Sequence, residues 1–364
     1  MNAITIFRGG AIGDFVLTLP AINAVRRAFP TADLRLIGRP ATLALGPAAS
    51  VLDGEDPRLI PLHRAGPLLP ATRQLFAATH RVLAYAVDAQ QHFGPQLRRA
   101  VAGPVLLWDP RPPADFRGHI IDHLLSPLRQ WGLPVCDRTP HIELRLGDYA
   151  YVDSLAAAPE VVIHLGSGSP AKCWPTANFH ALASALQKKG WHTALLCGPV
   201  ERERQLTTGD LPALHPPDLR SLAGLLAKAA LFIGNDSGPG HIAAAVGTPT
   251  LTLFGPTDPG LWAPRGKRSQ VLQAPAAAIA AIPTETAIDA ALAFLQSAQG
   301  LPTPTNAAPW CASNSASAAF ATRAYSRRLT ASQGIATSQR PCAPTRMPIT
   351  RWPSARTRPS HSRT

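Results

Sequence analysis

The chain has 364 residues, 46% of them apolar, and a formal net charge of +13 at pH 7. That is apolar material for roughly two domains with sizeable cores, and no run approaching the ~18 consecutive apolar residues of a membrane-spanning helix is present. The charge is uneven: residues 301–364 hold nine arginines with no lysine or acidic residue, so the tail carries +9 and the rest of the chain only +4.

A body this mildly basic suits acidic small ligands or an anionic membrane surface, and nucleic acid is not an expected partner. Five scattered cysteines, Cys136, Cys173, Cys197, Cys311 and Cys342, have neither zinc-ligand spacing nor the density of a disulfide scaffold. They point to a reducing compartment, and the opening MNAITIFRGG lacks the features of a secretory signal, so a cytoplasmic protein is expected.

In chain order, ITIF (residues 4–7) reads as a short strand and RGGAIGD (8–14) as the loop after it. Residues 15–29 follow as a helix with Ile22, Val25 and Phe29 on one face. Asp14 stands where that helix is capped, and Pro20 predicts either a kink or a first turn beginning near Thr18. Gly9, Gly10 and Gly13 do not have the spacing of the dinucleotide fingerprint. They imply only a backbone that something approaches closely, with a carboxylate at the mouth of a parallel sheet. Strands are expected at 34–37, 82–87 and 105–108. A helix is expected over 116–131, with His119 and His123 four apart on a polar face; without a third ligand nearby they do not predict a metal.

An irregular stretch at 134–159 reads as a linker, and the same grammar then begins again. Residues 161–165 form a strand, GSGSPAKCW (166–174) a small-residue loop, 175–189 a helix and 193–197 a strand ending in GPVERE. Residues 221–230 are helical and lead into LFIGNDSGPGHIAAAVGTPTLTLF (231–254), which reads as strand, glycine-rich turn, short helix, strand. Alternation throughout predicts an α/β chain of two doubly wound parallel sheets, with domains at 1–150 and 151–299. After about Gln299 the pattern stops. Residues 300–364, rich in Pro, Ser, Thr, Ala and Arg, read as a disordered tail: a basic arm, a dispensable extension or a segment translated out of frame.

Three loops of the second half end at one sheet edge. Lys172, behind Ser167 and Ser169 in a loop with free N–H groups, suits a phosphate, although the P-loop spacing is absent. Glu201, just past a strand end, is placed either for a ribose or for solvent. Asp236 and Ser237 are able to cap the following helix, but with Asn235, Gly238 and His241 they supply more polar groups than a cap needs. Asp236 cannot neutralise phosphate and is assigned to sugar hydroxyls or to holding its own loop.

RGGAIGDFVLTLPAINAVRRAFP, HLGSGSPAKCWP, CGPVERE and GNDSGPGHIAAAVGTPTLTLFGPTDPGLWAP, in this order and spacing, resemble glycosyltransferase family 9, the heptosyltransferases that extend the lipopolysaccharide inner core. The resemblance runs from about Ile4 to Gln296. It implies a GT-B architecture of two facing Rossmann-like domains and an inverting, metal-independent transfer from a nucleotide-diphospho-sugar, most plausibly ADP-heptose, with no resident cofactor. The acceptor it implies is a glycolipid or oligosaccharide, met at the inner membrane by peripheral contact.

Residue by residue, the resemblance makes Asp14 the catalytic base in an acceptor-side loop with Gly10 and Gly13, and Lys172 a donor-phosphate ligand. It places Glu201 near the ribose, and Asp236, Ser237, Gly238 and His241 around the diphosphate and sugar. Cys173 and Gly240 depart from the family's usual residues at their positions.

Overall fold

The computed structural model describes residues 3–135, 137–204 and 209–299. The expected tail, residues 300–364, lies outside them. Two sheets, every pairing parallel, carry the fold. The first has five strands: β1 (Ala3–Arg8), β2 (Asp33–Gly38), β3 (Ser50–Asp53), β4 (Thr79–Tyr85) and β5 (Val105–Trp108), in the order β3-β2-β1-β4-β5. The second has six: β6 (Val161–His164), β7 (Thr193–Leu196), β8 (Ala213–Leu214), β9 (Leu231–Asn235), β10 (Thr250–Phe254) and β11 (Ser269–Gln273), in the order β11-β10-β9-β6-β7-β8.

Each order runs outward from its first strand, then returns to the other side of it. The strand order therefore reverses at β1/β4 in one sheet and at β6/β9 in the other. Such reversals open a crevice at the carboxyl ends of the strands, because the adjoining loops leave toward opposite faces. β1, β6, β9 and β10 are buried along their whole length, which is why they read as continuous apolar runs.

Three apolar clusters fill the molecule. One lies behind the first sheet around Phe7, Phe76 and Phe93, and one behind the second around Trp174, Phe179 and Leu253. The third is shared: Ile6, Phe15 and Ile22 of the first half pack in the same cluster as Val162, Phe232 and Ile242 of the second. The helix Ile12–Ala28 reaches across to the helix Gly238–Ala245. A Cβ on Gly238 would lie 2.8 Å from Cβ of Ile12, and one on Gly13 would lie 3.0 Å from Cδ2 of His241. A side chain at Gly238 would force Ile12 to shift, and one at Gly13 would press on the His241 ring.

Three features differ from expectation. The first helix begins at Ile12 and runs through Pro20 without restarting at Thr18; Pro20 is buried there, where its missing N–H leaves only one carbonyl without its helical partner. The helix expected over 116–131 is shorter, Ile120–Leu125, and tightens into a 3₁₀ turn, Ser126–Trp131, because Pro127 has no N–H to continue the ladder. The short edge strands β3, β8 and β11 are too polar or too brief to stand out as apolar runs. No described helix is long and apolar enough to cross a membrane.

The two glycines of the helix Gly238–Ala245 make opposite predictions. A Cβ on Gly240 meets only ordinary contacts, the nearest at 3.4 Å from Phe232, so Gly240→Ala should stabilise the fold by ~0.5–1 kcal/mol through helix propensity. Gly238→Ala drives a methyl into Ile12 and should cost ~1–3 kcal/mol. Urea midpoints of the two variants against wild type check both signs.

Candidate functional site

On the first sheet the site begins with Arg8, the last residue of β1. Its guanidinium is 6% exposed and turns back over the start of the first helix. Nε donates to Thr18 Oγ1 at 2.8 Å, and NH2 donates to the Asp14 carbonyl at 2.9 Å and lies 3.6 Å from the Asp14 carboxylate. Burial pulls the Arg8 pKa down while Asp14 and Tyr85 pull it back up. The Tyr85 hydroxyl donates to the Leu124 carbonyl; burial pushes its pKa up, and Arg8 offsets part of that rise.

Asp14 occupies the third position of the helix rather than its cap. Oδ2 accepts from the N–H of Ala11 at 2.9 Å, closing the first turn, yet the side chain remains 38% exposed. Gly10, with φ +99°, lies under that carboxylate: a Cβ there would sit 2.7 Å from Oδ2. The result is a carboxylate held by Ala11 and Arg8 and still open to an incoming group.

It opens onto a cavity of about 460 Å³ at the β1/β4 crevice, lined by Arg8, Gly10, Asp14, Tyr85, His63 and Arg111 among mostly apolar neighbours, with Trp262 reaching in from the second half. His63 stacks on Phe93 at 4.8 Å, and burial lowers its pKa. Arg111 is held by Asp109 through contacts of 3.1 and 2.9 Å. Sequence reasoning picked out neither His63 nor Arg111, since neither lies in a glycine-rich turn.

On the second sheet the loops after β6, β7 and β9 meet, as expected for neighbouring parallel strands. Asn235 is wholly structural: its side chain accepts from the Trp174 N–H at 3.0 Å and donates to the Leu165 carbonyl at 2.7 Å, tying the β9 and β6 loops together. Ser167 does similar work, donating to the Asp236 carbonyl at 2.8 Å. Ser169 precedes the turn Pro170–Lys172, and its carbonyl accepts from the Lys172 N–H at 3.0 Å.

Lys172 Nζ contacts Asp236 Oδ2 at 2.8 Å, and Thr257 donates to the same oxygen at 2.8 Å. With 29% of its side chain exposed, Lys172 keeps an open side. Asp236 thus holds its loop, one of the two assignments open for it, and does not cap the helix. Ser237 stands at the cap position but makes no capping bond; its Oγ is 3.2 Å from His164 Nδ1. Glu201 is 3% exposed, with Oε1 at 3.0 Å from His164 Nε2 and Oε2 accepting from the Gly198 N–H at 2.7 Å. Oε2 is thereby committed to the protein, while Oε1 makes only the ion-pair contact with His164 and is a buried oxygen without a hydrogen-bond partner among the described residues.

His241 joins the two sides. Burial lowers its pKa to about 4, with Asp236 and Asp14 pulling upward against His119 and Lys172, so the ring is neutral near pH 7. His119 and His123 do not act as a pair: His119 Nε2 bonds the Ala263 carbonyl at 2.8 Å, and His123 Nε2 bonds the Asp109 carbonyl at 2.8 Å. Chemically, the arrangement sets an accessible carboxylate beside a cavity on one sheet. It faces a lysine and the unpaired N–H groups of a helix start on the other, suited to an anion.

Residues 110–288 match the family profile described as glycosyltransferase family 9 (heptosyltransferase). Lipopolysaccharide heptosyltransferase 3 of Escherichia coli K12 is 39% identical over 102 residues, 26% of this chain and 30% of that protein. Lipopolysaccharide heptosyltransferase 1 of Pseudomonas aeruginosa is 37% identical over 161 residues, 39% of this chain and 45% of that protein. The chain therefore aligns with less than half the length of these relatives.

Among solved structures, the E. coli ADP-heptose lps heptosyltransferase II superposes with a TM-score of 0.66 at 16% identity, covering 82% of this chain and 99% of that one. The E. coli heptosyltransferase WaaC with ADP superposes at 0.62 and 20% identity, over 82% and 100%. At these identities the likeness is one of fold, and it is the expected GT-B architecture of two facing Rossmann-like halves. On the family match and the curated relatives together, residues 110–288, just under half of the chain, are similar to glycosyltransferase family 9.

Proposed function

We propose that this protein is an inverting glycosyltransferase that moves heptose from ADP-heptose onto a lipopolysaccharide inner-core or similar glycan acceptor. The carrying observation is the opposition of Asp14, exposed at the mouth of the first-half cavity, to Lys172 and the helix start at Gly238, with Gly13 against His241 between them. In this reading residues 1–150 serve the acceptor and residues 151–299 the nucleotide sugar. The names of the relatives and of the ADP-bound neighbour support the choice of sugar and nucleotide.

The chemistry is a single displacement. The acceptor hydroxyl enters through the cavity, Asp14 takes its proton, and the oxygen attacks the anomeric carbon opposite the diphosphate. The bond from that carbon to the diphosphate oxygen breaks, and the electron pair leaves with the nucleotide. Arg8 holds the Asp14 main chain and lies beside its carboxylate, which keeps the base aimed until the hydroxyl arrives. The departing diphosphate is met by Lys172 and by the N–H groups that open the helix Gly238–Ala245. These are preorganised donors of the kind whose individual loss typically costs ~3 kcal/mol of transition-state stabilisation. Positive charge from Lys172 and from amides lets the transfer proceed without a metal. The acceptor brings the enzyme to the cytoplasmic face of the inner membrane as a peripheral contact.

Asp14→Asn should lower kcat by roughly 10²- to 10⁴-fold while leaving ADP affinity near wild type, because general-base help is lost without touching the donor loops; transfer assays paired with calorimetry separate the two. Titration with ADP, GDP and UDP in EDTA should show selective binding of ADP, weakened about tenfold or more by Lys172→Ala. Folded protein that binds none of the three would overturn the donor-site reading.

A further inference from the structure

A second cavity, of about 580 Å³, shares the helix Ile120–Leu125 with the first but lies against a different face of it. Ile120 and Leu124, one turn apart, line the cavity that Asp14 opens onto, whereas Asp122 and Leu125 line this one. None of its lining residues belongs to the loops assigned to the donor or to the cavity assigned to the acceptor. The transfer step leaves it without a role.

Its charged walls come from separate parts of the chain. Arg117 stands in the loop before the helix and Arg129 in the 3₁₀ turn after it; Arg138 lies in the stretch joining the halves, and Arg265 follows the short helix Pro259–Trp262 of the second half. His119 Nε2, bonded to the Ala263 carbonyl at 2.8 Å, fastens the segment that carries Arg265 beside the helix Ile120–Leu125. Four guanidiniums thus share one space with a single carboxylate, Asp122, four positive charges against one negative, and no lysine takes part.

That carboxylate does not satisfy them. Asp122 Oδ1 accepts from Arg138 Nε, and Oδ2 lies 3.9 Å from Arg265 NH2. Both arginines keep an open side, with 49% and 37% of their side chains exposed. Arg117 NH1 reaches only the Ala114 and Phe116 carbonyls, at 3.5 and 3.2 Å. The Arg129 side chain bonds no described residue. An isolated surface arginine is met by water alone, but several that converge on a concave, low-dielectric wall build a focused positive potential. Such a space draws an anion.

The class of anion follows from the donors. A guanidinium fork matches the oxygens of a carboxylate or a phosphate two at a time. A second carboxylate would answer one unpaired arginine and leave the other. A phosphomonoester brings about two negative charges and three acceptor oxygens, enough for Arg117 and Arg129 together while Asp122 keeps Arg138. The cavity has room for more than a phosphate, and Phe116, Leu125 and Val135 give the remainder an apolar wall. The Phe116 ring stands edge-on to His123 at 5.6 Å, so it offers a firm surface to a sugar ring or a glycerol backbone.

We propose that this cavity binds a phosphomonoester, carried on a sugar or on a lipid headgroup, and that the bound phosphate links Arg265 of the second half to Arg117, Arg129 and Arg138 of the first. The site is additional to the donor and acceptor sites and does not rest on their assignment.

The test reads each arginine separately: phenylglyoxal labelling of the full chain at constant ionic strength, mapped by peptide mass spectrometry. Two carriers are compared, glucose 6-phosphate and phosphatidylcholine vesicles containing phosphatidic acid. At least one should slow labelling of the four arginines together by about fivefold or more, and the one that does so at the lower phosphate concentration names the carrier. Glucose, or vesicles containing the diester phosphatidylglycerol, should not. Arg98 and Arg99, exposed on the helix Phe93–Ala100, are internal controls and should label at an unchanged rate.

In the double variant Arg117→Gln, Arg129→Gln, which breaks no ion pair among the described residues, half-protection of Arg138 and Arg265 should need about tenfold more of the same carrier. Arg265→Gln should shift half-protection of Arg117 and Arg129 in the same direction. No protection by either carrier overturns the site. Equal protection of Arg98 and Arg99 marks nonspecific attraction and overturns it too, as does protection that both variants leave undiminished. The donor reading is decided separately, by the ADP titration.

Discussion

Everything in this structure depends on how closely two helix beginnings approach. The helix that leaves β1 and the helix that leaves β9 point their N-termini at the same gap, and Gly13 and Gly238 remove the side chains that would hold them apart. Two positive dipole ends do not choose to face each other. The shared apolar cluster running from Ile6 and Phe15 to Phe232 and Ile242 supplies the force that holds them, and Asp14 and Asp236 place negative charge at the two ends. A gap of this kind suits an anion.

Much of this was written in the chain. Buried parallel strands such as β1, β6, β9 and β10 show as unbroken apolar runs, and the glycine-rich turns after them mark the crevices directly. The order of loops RGGAIGD, GSGSPAK, GPVERE and NDSGPGH was therefore enough to place Asp14, Lys172, Glu201 and Asp236 at carboxyl sheet edges. What stayed hidden is what depends on distant residues meeting. Glu201 gives no sign in sequence that it will turn inward to His164, because the space it uses is provided by Gly166, 35 positions earlier in the chain. His63 likewise gains meaning only once it stacks on Phe93, 30 positions later, at the rim of the cavity. The polar edge strands escaped for the opposite reason, since SQVLQ has no buried face to announce it.

The site's charges also explain how it exists before any ligand arrives. Arg8 is set against Asp14, Lys172 against Asp236, and His164 against Glu201. Each group that would act on substrate thus has a partner that compensates its burial and fixes its direction. The arrangement carries a cost, because any anion that reached Lys172, as the proposed donor phosphate would, must compete with Asp236 for it. It also brings a gain: an unpaired lysine or aspartate at a half-buried edge would relax toward solvent, lose its aim, and have to be reoriented during the reaction.

Asp14 has the loosest partnership of the three, at 3.6 Å and more than a third exposed, and it is the group proposed to give up its anionic state by taking a proton. Glu201 is the most deeply buried of the three carboxylates, 3% exposed and 3.0 Å from His164 Nε2. The grading of exposure, from open to sealed, sets Asp14 apart as the carboxylate free to meet an outside group.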